Sequence, residues 1–416
     1  MEELKTYRLA DICNSIQTGP FGSQLHKSDY VEFGTPIVMP KDITNGKIND
    51  NNISRISKND VAKLFKHKLV SGNIIYPRRG DISKCALITS KEDGWVCGTG
   101  CIKVDINQQI ANSTYVMYVL CQSETVNWIE SNAVGTTMLN LNTSILSDLP
   151  IKLPSLNTQK KLANIVSSFD KKIDLNRRIN DNLEQQAQTL FKSWLVDFDP
   201  FKNGKFVESE MGMIPEGWKV ISLQEYCQEI TRGNIPTYVE KSNRPILNQK
   251  VNKGVSLEKQ YYKYNSENVE VSISKMAHYG DVLLNSLGQG TLGRVHLYKE
   301  KLGNVIIDQF ITILRTNLFV KSAYLSYTLN RPEYQTIIEG NVTGSTGMWV
   351  LTINNVRNIK IIVPKESCFL ELAPIINSIY QAISNNTAEM EQLCTLRDCI
   401  LPHLMSGELK INDLNC

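Results

Sequence analysis

The 416-residue sequence predicts a mixed α/β (α+β) chain built as a duplicate of itself, with two similar domains of strands and helices, each followed by one long helix. Three observations predict this. Sliding the chain against itself by 209 residues places Ser113, Tyr115, Tyr118, Leu120, Glu124, Ile129, Glu130, Asn132, Gly135 and Thr137 on Ser322, Tyr324, Tyr327, Leu329, Glu333, Ile338, Glu339, Asn341, Gly344 and Thr346; ten identities in 25 positions at one offset exceed chance. Upstream, SGNIIYPRRG (71–80) meets YGDVLLNSLG (279–288) at an offset of 208, and downstream Pro154 meets Pro364 at 210. Finally, a strand, a proline stop and a long helical pattern occur twice, in SDLPIKLPSLNTQKKLANIVSSFD (147–170) and VRNIKIIVPKESCFLELAPIINSI (356–379).

Within each copy, apolar runs such as NIIYP, KCALIT, VLLNSL and VIIDQFITIL read as strands, and STYVMYVLCQSETVNWIES and SAYLSYTLNRPEYQTIIEG as helices. The expected domains are 1–154 and 204–366, and the expected long helices 155–203 and 367–416. After each proline, apolar residues recur in steps of four and three. The first seam is Leu162, Val166, Phe169, Ile173, Asn176, Asn180, Leu183, Ala187, Leu190 and Trp194; the second, 210 residues on, is Leu372, Ile376, Ile379, Ile383, Asn386, Met390, Leu393, Arg397, Ile400 and Leu404. Matching stripes bury one another in a coiled coil. A helix of about 38 residues reaches roughly 57 Å.

For two related copies, the economical arrangement is two-fold-like, with antiparallel helices. Asn176 and Asn386 would then meet near the midpoint and fix register. Basic Lys160, Lys161, Lys171, Lys172, Arg177 and Arg178 on the first helix complement Glu371, Glu389 and Glu391 on the second. Pro374 falls in the second helix, a position tolerated near a helix start. The plainer alternative packs each helix on its own domain and leaves both asparagines in solvent.

The net charge of +3 is uninformative alone, but its distribution is not. Lys and Arg against Asp and Glu number 16 to 15 over 1–154, 8 to 6 over 155–203, 19 to 15 over 204–366 and 2 to 6 over 367–416. The acidic last segment suits contact with protein and leaves any polyanion to the rest. The start MEELKTYRLADIC shows no secretory pattern and no apolar run reaches about 18 residues, so a cytoplasmic protein away from membranes is expected. The ten cysteines form no CxxC pair and are expected to be reduced, mostly buried thiols; Cys97 and Cys101 could share a metal but lack a second pair.

Catalytic motifs are missing. GWVCGTGCIK has the glycines of a phosphate loop without the spacing, and GQGTLG (288–293) fits GxGxxG but precedes no long helix. FDPF (198–201) resembles the Asp-Pro-Pro-Tyr loop of adenine methyltransferases, yet has one proline and no cofactor loop upstream. The five histidines are dispersed. Recognition is therefore the expected function, with duplex DNA as the long, pseudo-symmetric ligand.

The repeat also indicates where readers belong, because framework residues recur while polar loops differ. NIIY runs into PRRGDISK, offering Arg78, Arg79 and Lys84, whereas DVLL runs into NSLGQGTLGR, offering Asn285, Ser286, Gln289 and Arg294. Arg suits guanine edges, and Asn or Gln suits adenine. Near the domain starts, QTGPFGSQLHK offers Gln17, Thr18, Ser23 and Gln24, and TRGNIPTYVEK offers Arg232 and Asn234. Thr136, Thr137, Ser345 and Thr346 recur beside Gly135 and Gly344 and suit phosphate contact or a helix cap. Solvated turns are the alternative reading of each.

LNTQKKLANIVSSFDKKIDLNRRINDNLEQQAQTLFKSWLVDFDPF (156–201), GMIPEGW (212–218) and LRDCILPHLMSGEL (396–409), with the duplicated layout, resemble the specificity subunit of type I restriction-modification systems along the whole chain. The resemblance implies two target-recognition domains, each reading one half of a split DNA site. It implies two long antiparallel helices whose length sets the unread spacer, and docking of two methyltransferase and two restriction subunits. S-adenosylmethionine, ATP and Mg would be bound by those partners. Competing readings are a catalytically reduced, fused restriction-methylation enzyme and an interaction scaffold that binds no DNA.

Overall fold

The computed structural model describes residues 4–44, 46–135, 139–300, 302–344, 349–406 and 408. They form two compact units: unit 1 comprises 1–172 with 393–416, and unit 2 comprises 173–392. Each unit is mixed α/β, and the sheets of unit 1 recur in unit 2.

In unit 1, β1 (Cys13–Thr18), β2 (Asn73–Pro77), β3 (Ala86–Leu87) and β4 (Cys101–Ile106) form an antiparallel sheet in the order β1-β4-β2-β3. In unit 2, β5 (Glu229–Arg232), β6 (Val282–Asn285), β7 (Val295–Leu297) and β8 (Ile311–Arg315) repeat it as β5-β8-β6-β7. A second sheet of short strands is duplicated too. It orders Tyr30–Val31, Arg55–Ile56, Thr35–Val38 and Val96–Cys97 in unit 1, and Tyr238–Val239, Lys263–Asn265, Pro245–Leu247 and Ile306–Ile307 in unit 2, the last pair of each being parallel. Lys5–Arg8 pairs with Pro150–Leu153 as Lys219–Ser222 pairs with Lys360–Val363. The hairpin of Phe206–Ser209 and Gly212–Pro215 has no twin among the described residues. Phe198 and Phe201 of FDPF stack edge-on against Trp218 beside it, with ring centroids 5.2 and 5.3 Å away, so that motif is packing.

The central strands read as unbroken apolar runs because both faces are covered: every residue of β2 and β6 is buried. Each follows a glycine in the left-handed region, Gly72 at φ 93° and Gly280 at φ 93°, a conformation that a side chain resists. At the far end of each sheet one polar contact recurs with its charge exchanged. Asn73 donates to Asp105 (3.0 Å) in unit 1, whereas at the matching places of unit 2 the Arg315 guanidinium donates to both oxygens of Asp281 (2.9 and 3.1 Å) and to Glu229 (2.7 Å). Burial pulls the Arg315 pKa down, but the two carboxylates outweigh it and hold it raised.

The long helices are α1 (Leu156–Leu195) and α2 (Glu366–Ser406). All twenty seam residues are buried or half-buried. Their antiparallel pairing is visible inside each unit. In unit 2 the Asn176 amide donates to Glu389 (2.6 Å), Asn386 donates to Asn180 (2.9 Å), and the Tyr380 hydroxyl donates to Glu184 (3.0 Å). In unit 1 Arg397 donates to Asp170 (2.6 Å), and Leu404 and Met405 share a core with Leu162, Ala163 and Val166. Of the residues named for the pair, Leu162, Val166, Ile173, Asn176, Ile376 and Ile383 are buried, while Phe169, Leu183, Ile379, Asn386, Met390 and Leu393 are half-buried.

Three expectations need correction. Asn176 and Asn386 do not meet; each finds its partner one turn away, because heptad phase places residues on the seam without fixing how far the helices slide along it. The ion pair across the seam in unit 1 has its acid on α1 (Asp170) and its base on α2 (Arg397), opposite to the expected polarity. Pro374 is the ninth residue of α2 and exposed, so the Leu370 carbonyl it deprives of a donor lies on the water side.

Cys97 and Cys101 are both buried, and burial pushes the Cys97 thiol up to about 12 and Cys101 well above its ordinary value, which keeps both protonated at neutral pH. Among the described residues no three His, Cys, Asp or Glu side chains gather as a metal site, and no helix is long and apolar enough to cross a membrane.

Candidate nucleic-acid interface

The candidate readers come from segments far apart in sequence, and the sheet collects them. In unit 1, β1 ends at Thr18 opposite Ile102, and β2 ends at Pro77 opposite Cys101. Both strands thus finish beside the start of β4. Gly19 N donates to Cys101 O (2.8 Å), Arg78 N to Gly100 O (2.6 Å), and Leu141 N to Arg78 O (2.9 Å). Unit 2 builds the same junction: Gly233 N donates to Ile311 O (3.1 Å), Ser286 N to Phe310 O (2.9 Å), and Leu351 N to Ser286 O (2.9 Å). Isolated antiparallel bridges join Val134 to Asn140 and Thr343 to Val350.

Close approach fixes a glycine at the first turn of each junction. A Cβ on Gly19 would sit 2.0 Å from the Gly98 carbonyl oxygen, and one on Gly233 would sit 2.3 Å from that of Asp308. Backbone, not a flexible side chain, blocks the space. Gly233→Ala is expected to cost about 1–3 kcal/mol, as overpacking does, read as a lower urea midpoint with the slope unchanged.

The side chains on this frame differ between units. In unit 1, Gln17, Ser23, Gln24 and Arg79 are exposed, and Thr18 and Arg78 are half-buried. Arg78 Nε is buried without a hydrogen-bond partner among the described residues. Lys84 pairs with Asp81 (2.6 Å), a contact that lowers the Asp81 pKa. In unit 2, Gln289 is exposed, while Arg294 donates to Gly290 O (2.9 Å) and Asn234 to Ile235 O (2.9 Å). Arg232 donates to Leu351 O, and burial lowers its pKa. These two arginines brace loops.

Asn285 and Ser286 are removed from the set of readers. Both are 0% exposed. The Asn285 amide donates to Gln249 O and Thr291 O (3.1 Å each) and accepts from Asn252 (3.0 Å), and the Ser286 hydroxyl shares a hydrogen bond with Thr312 (2.6 Å). They lie at the buried end of β6, so their polar groups serve the fold. Thr136, Thr137, Ser345 and Thr346 fall outside the described residues.

The sequence reasoning missed Phe21 and Ile235, which stand at matching places two residues beyond Gly19 and Gly233 and are 59% and 73% exposed. It also missed Asp308, whose buried carboxyl accepts from Tyr238 (3.1 Å) and from Phe310 N (2.9 Å), with its pKa raised by burial. The matching places here are 214 residues apart, so the 209 offset conceals them.

A family model for the type I restriction modification DNA specificity domain matches residues 1–185. The type I restriction enzyme MjaIX specificity subunit of Methanocaldococcus jannaschii is 26% identical over 398 residues, covering 91% of this chain and 88% of its own. Along nearly its whole length the chain is similar to specificity subunits of type I restriction-modification systems. The HindI specificity subunit of Haemophilus influenzae is 22% identical over 98% of this chain and 100% of its own. A crystal structure of the S subunit from M. genitalium shares the fold, with a TM-score of 0.58 at 16% identity over 97% of this chain and 96% of that one. These relatives are named as specificity subunits, and the matching family model as a DNA specificity domain.

Proposed function

We propose that this chain is a specificity subunit of a type I restriction-modification system and reads a two-part site in double-stranded DNA, with each unit reading one part and the paired α1 and α2 setting the number of unread bases between. It docks two methyltransferase and two restriction subunits, and those partners carry the S-adenosylmethionine, ATP and Mg. The observation that supports this reading is the recurrence of one backbone junction in both units with different polar residues on it: Gln17, Ser23, Gln24 and Arg79 in one, Gln289 and Asn234 in the other. A shared frame gives both units the same approach to a duplex, while differing side chains give different base edges to select.

Binding of the chain with its methyltransferase partner tests this. Log affinity is expected to fall by about 0.9 per log unit of salt for each phosphate engaged. If Arg79 reads a guanine, Arg79→Ala costs about 1–3 kcal/mol at one base pair and leaves the salt slope unchanged. Equal affinity for target and scrambled duplexes at every salt concentration would refute the proposal.

A further inference from the structure

We propose that Phe21 and Ile235 are wedges, each entering a base step of the DNA half-site bound by its own unit and unstacking it. The inference rests on the DNA reading above and adds a way of reading shape to it. Single exposed apolar side chains are ordinary on protein surfaces. Here the coincidence is positional, because the two stand at the same place in a duplicated frame whose surrounding loop residues have otherwise diverged, QTGPFGSQ against TRGNIPTY.

Each is also held out on a fixed turn. The Gln24 side chain accepts from Phe21 N (3.0 Å) while Gln24 N donates to Phe21 O (2.8 Å), and buried Pro20 anchors the turn from behind. Ile235 is held differently to the same end: Asn234 N donates to Ile307 O (2.7 Å), its side-chain amide donates to Ile235 O (2.9 Å), and Pro236 restricts the backbone of Ile235 before it. A backbone fixed before binding loses little freedom on insertion.

The chemistry selects the ligand. A residue reading a base edge by hydrogen bonding is polar, whereas residues that part base steps are apolar, and Phe and Ile both belong to that class. Their neighbours on the frame, Gln17 and Arg79 in unit 1 and Gln289 in unit 2, are polar and exposed, as contacts to base edges and phosphates require.

The test uses the full chain with its methyltransferase subunits and a duplex carrying the target found by sequencing methylated DNA. 2-Aminopurine replaces, one at a time, each adenine other than the methylated base. Wild-type protein is expected to raise the fluorescence severalfold at one step in each half-site. Phe21→Ala should abolish the rise in one half only and weaken binding about tenfold, within the range for losing one stacked contact; Ile235→Ala should do so in the other half, and Phe21→Leu should restore most of the first signal. Both positions are exposed, so folding is preserved. The wedge is refuted if the wild-type target stays stacked, if the alanine variants keep the rise, or if one substitution silences both halves. Failure of the wild-type complex to prefer the target over a scrambled duplex refutes the DNA reading itself; preference with the duplex fully stacked refutes the wedge alone.

Discussion

Arg315→Ala lowers the unfolding free energy of the chain by about 3–5 kcal/mol, the cost of leaving a buried charge without its partner. Arg315 and Asp281 have side-chain exposures of 13% and 3%, and the guanidinium meets Asp281 through two hydrogen bonds, Glu229 through one, and Met276 O through a fourth (2.9 Å). Together these tie the start of β5, the residue before β6 and the end of β8. Water cannot take the place of the guanidinium there. Glu229 is 40% exposed, so Glu229→Gln is expected to cost only about 1 kcal/mol. Urea melts of the two variants check the ranking, and an Arg315→Ala loss under 1 kcal/mol would show that the cluster holds nothing.

Inserting seven residues into α1 after Asn180, and seven into α2 before Asn386, moves the recognised site rather than destroying recognition. One heptad in each helix keeps every seam residue in phase. It adds about 10 Å of helix, or roughly three base pairs of unread DNA. Methylation at the original site is expected to vanish and to appear at a site with the same two parts set further apart. The same insertion in α1 alone leaves the Asn176–Glu389 and Asn180–Asn386 contacts in register but carries Glu184 away from Tyr380, and is expected to abolish methylation at both sites. Sequencing methylated DNA from cells expressing each variant distinguishes these outcomes.

Much of this architecture was legible in the sequence because duplication preserves what the core demands. The runs NIIYP and DVLL announce buried strands, and two seams 210 residues apart announce two helices with matching stripes. What stayed hidden depends on contacts that no period encodes. Sliding one helix along the other by a turn leaves the stripe intact, so only side chains such as Tyr380 on Glu184 settle where Asn176 lies. Asn285 was misread because a polar residue after an apolar run resembles a loop; its amide is instead satisfied inside the sheet by Gln249, Thr291 and Asn252. Phe21 and Ile235 were overlooked since an apolar residue in a loop carries no period, and since their match requires the strand register.

The central claim is that each half of the chain reads its own part of the DNA. Its most direct test is to replace residues 1–150 with those of another family member, express the chimaera with the methyltransferase subunits, and sequence the methylated positions of the host DNA. The account predicts a two-part motif in which one part changes and the other is retained. A motif that changes in both parts, or in neither, would contradict it.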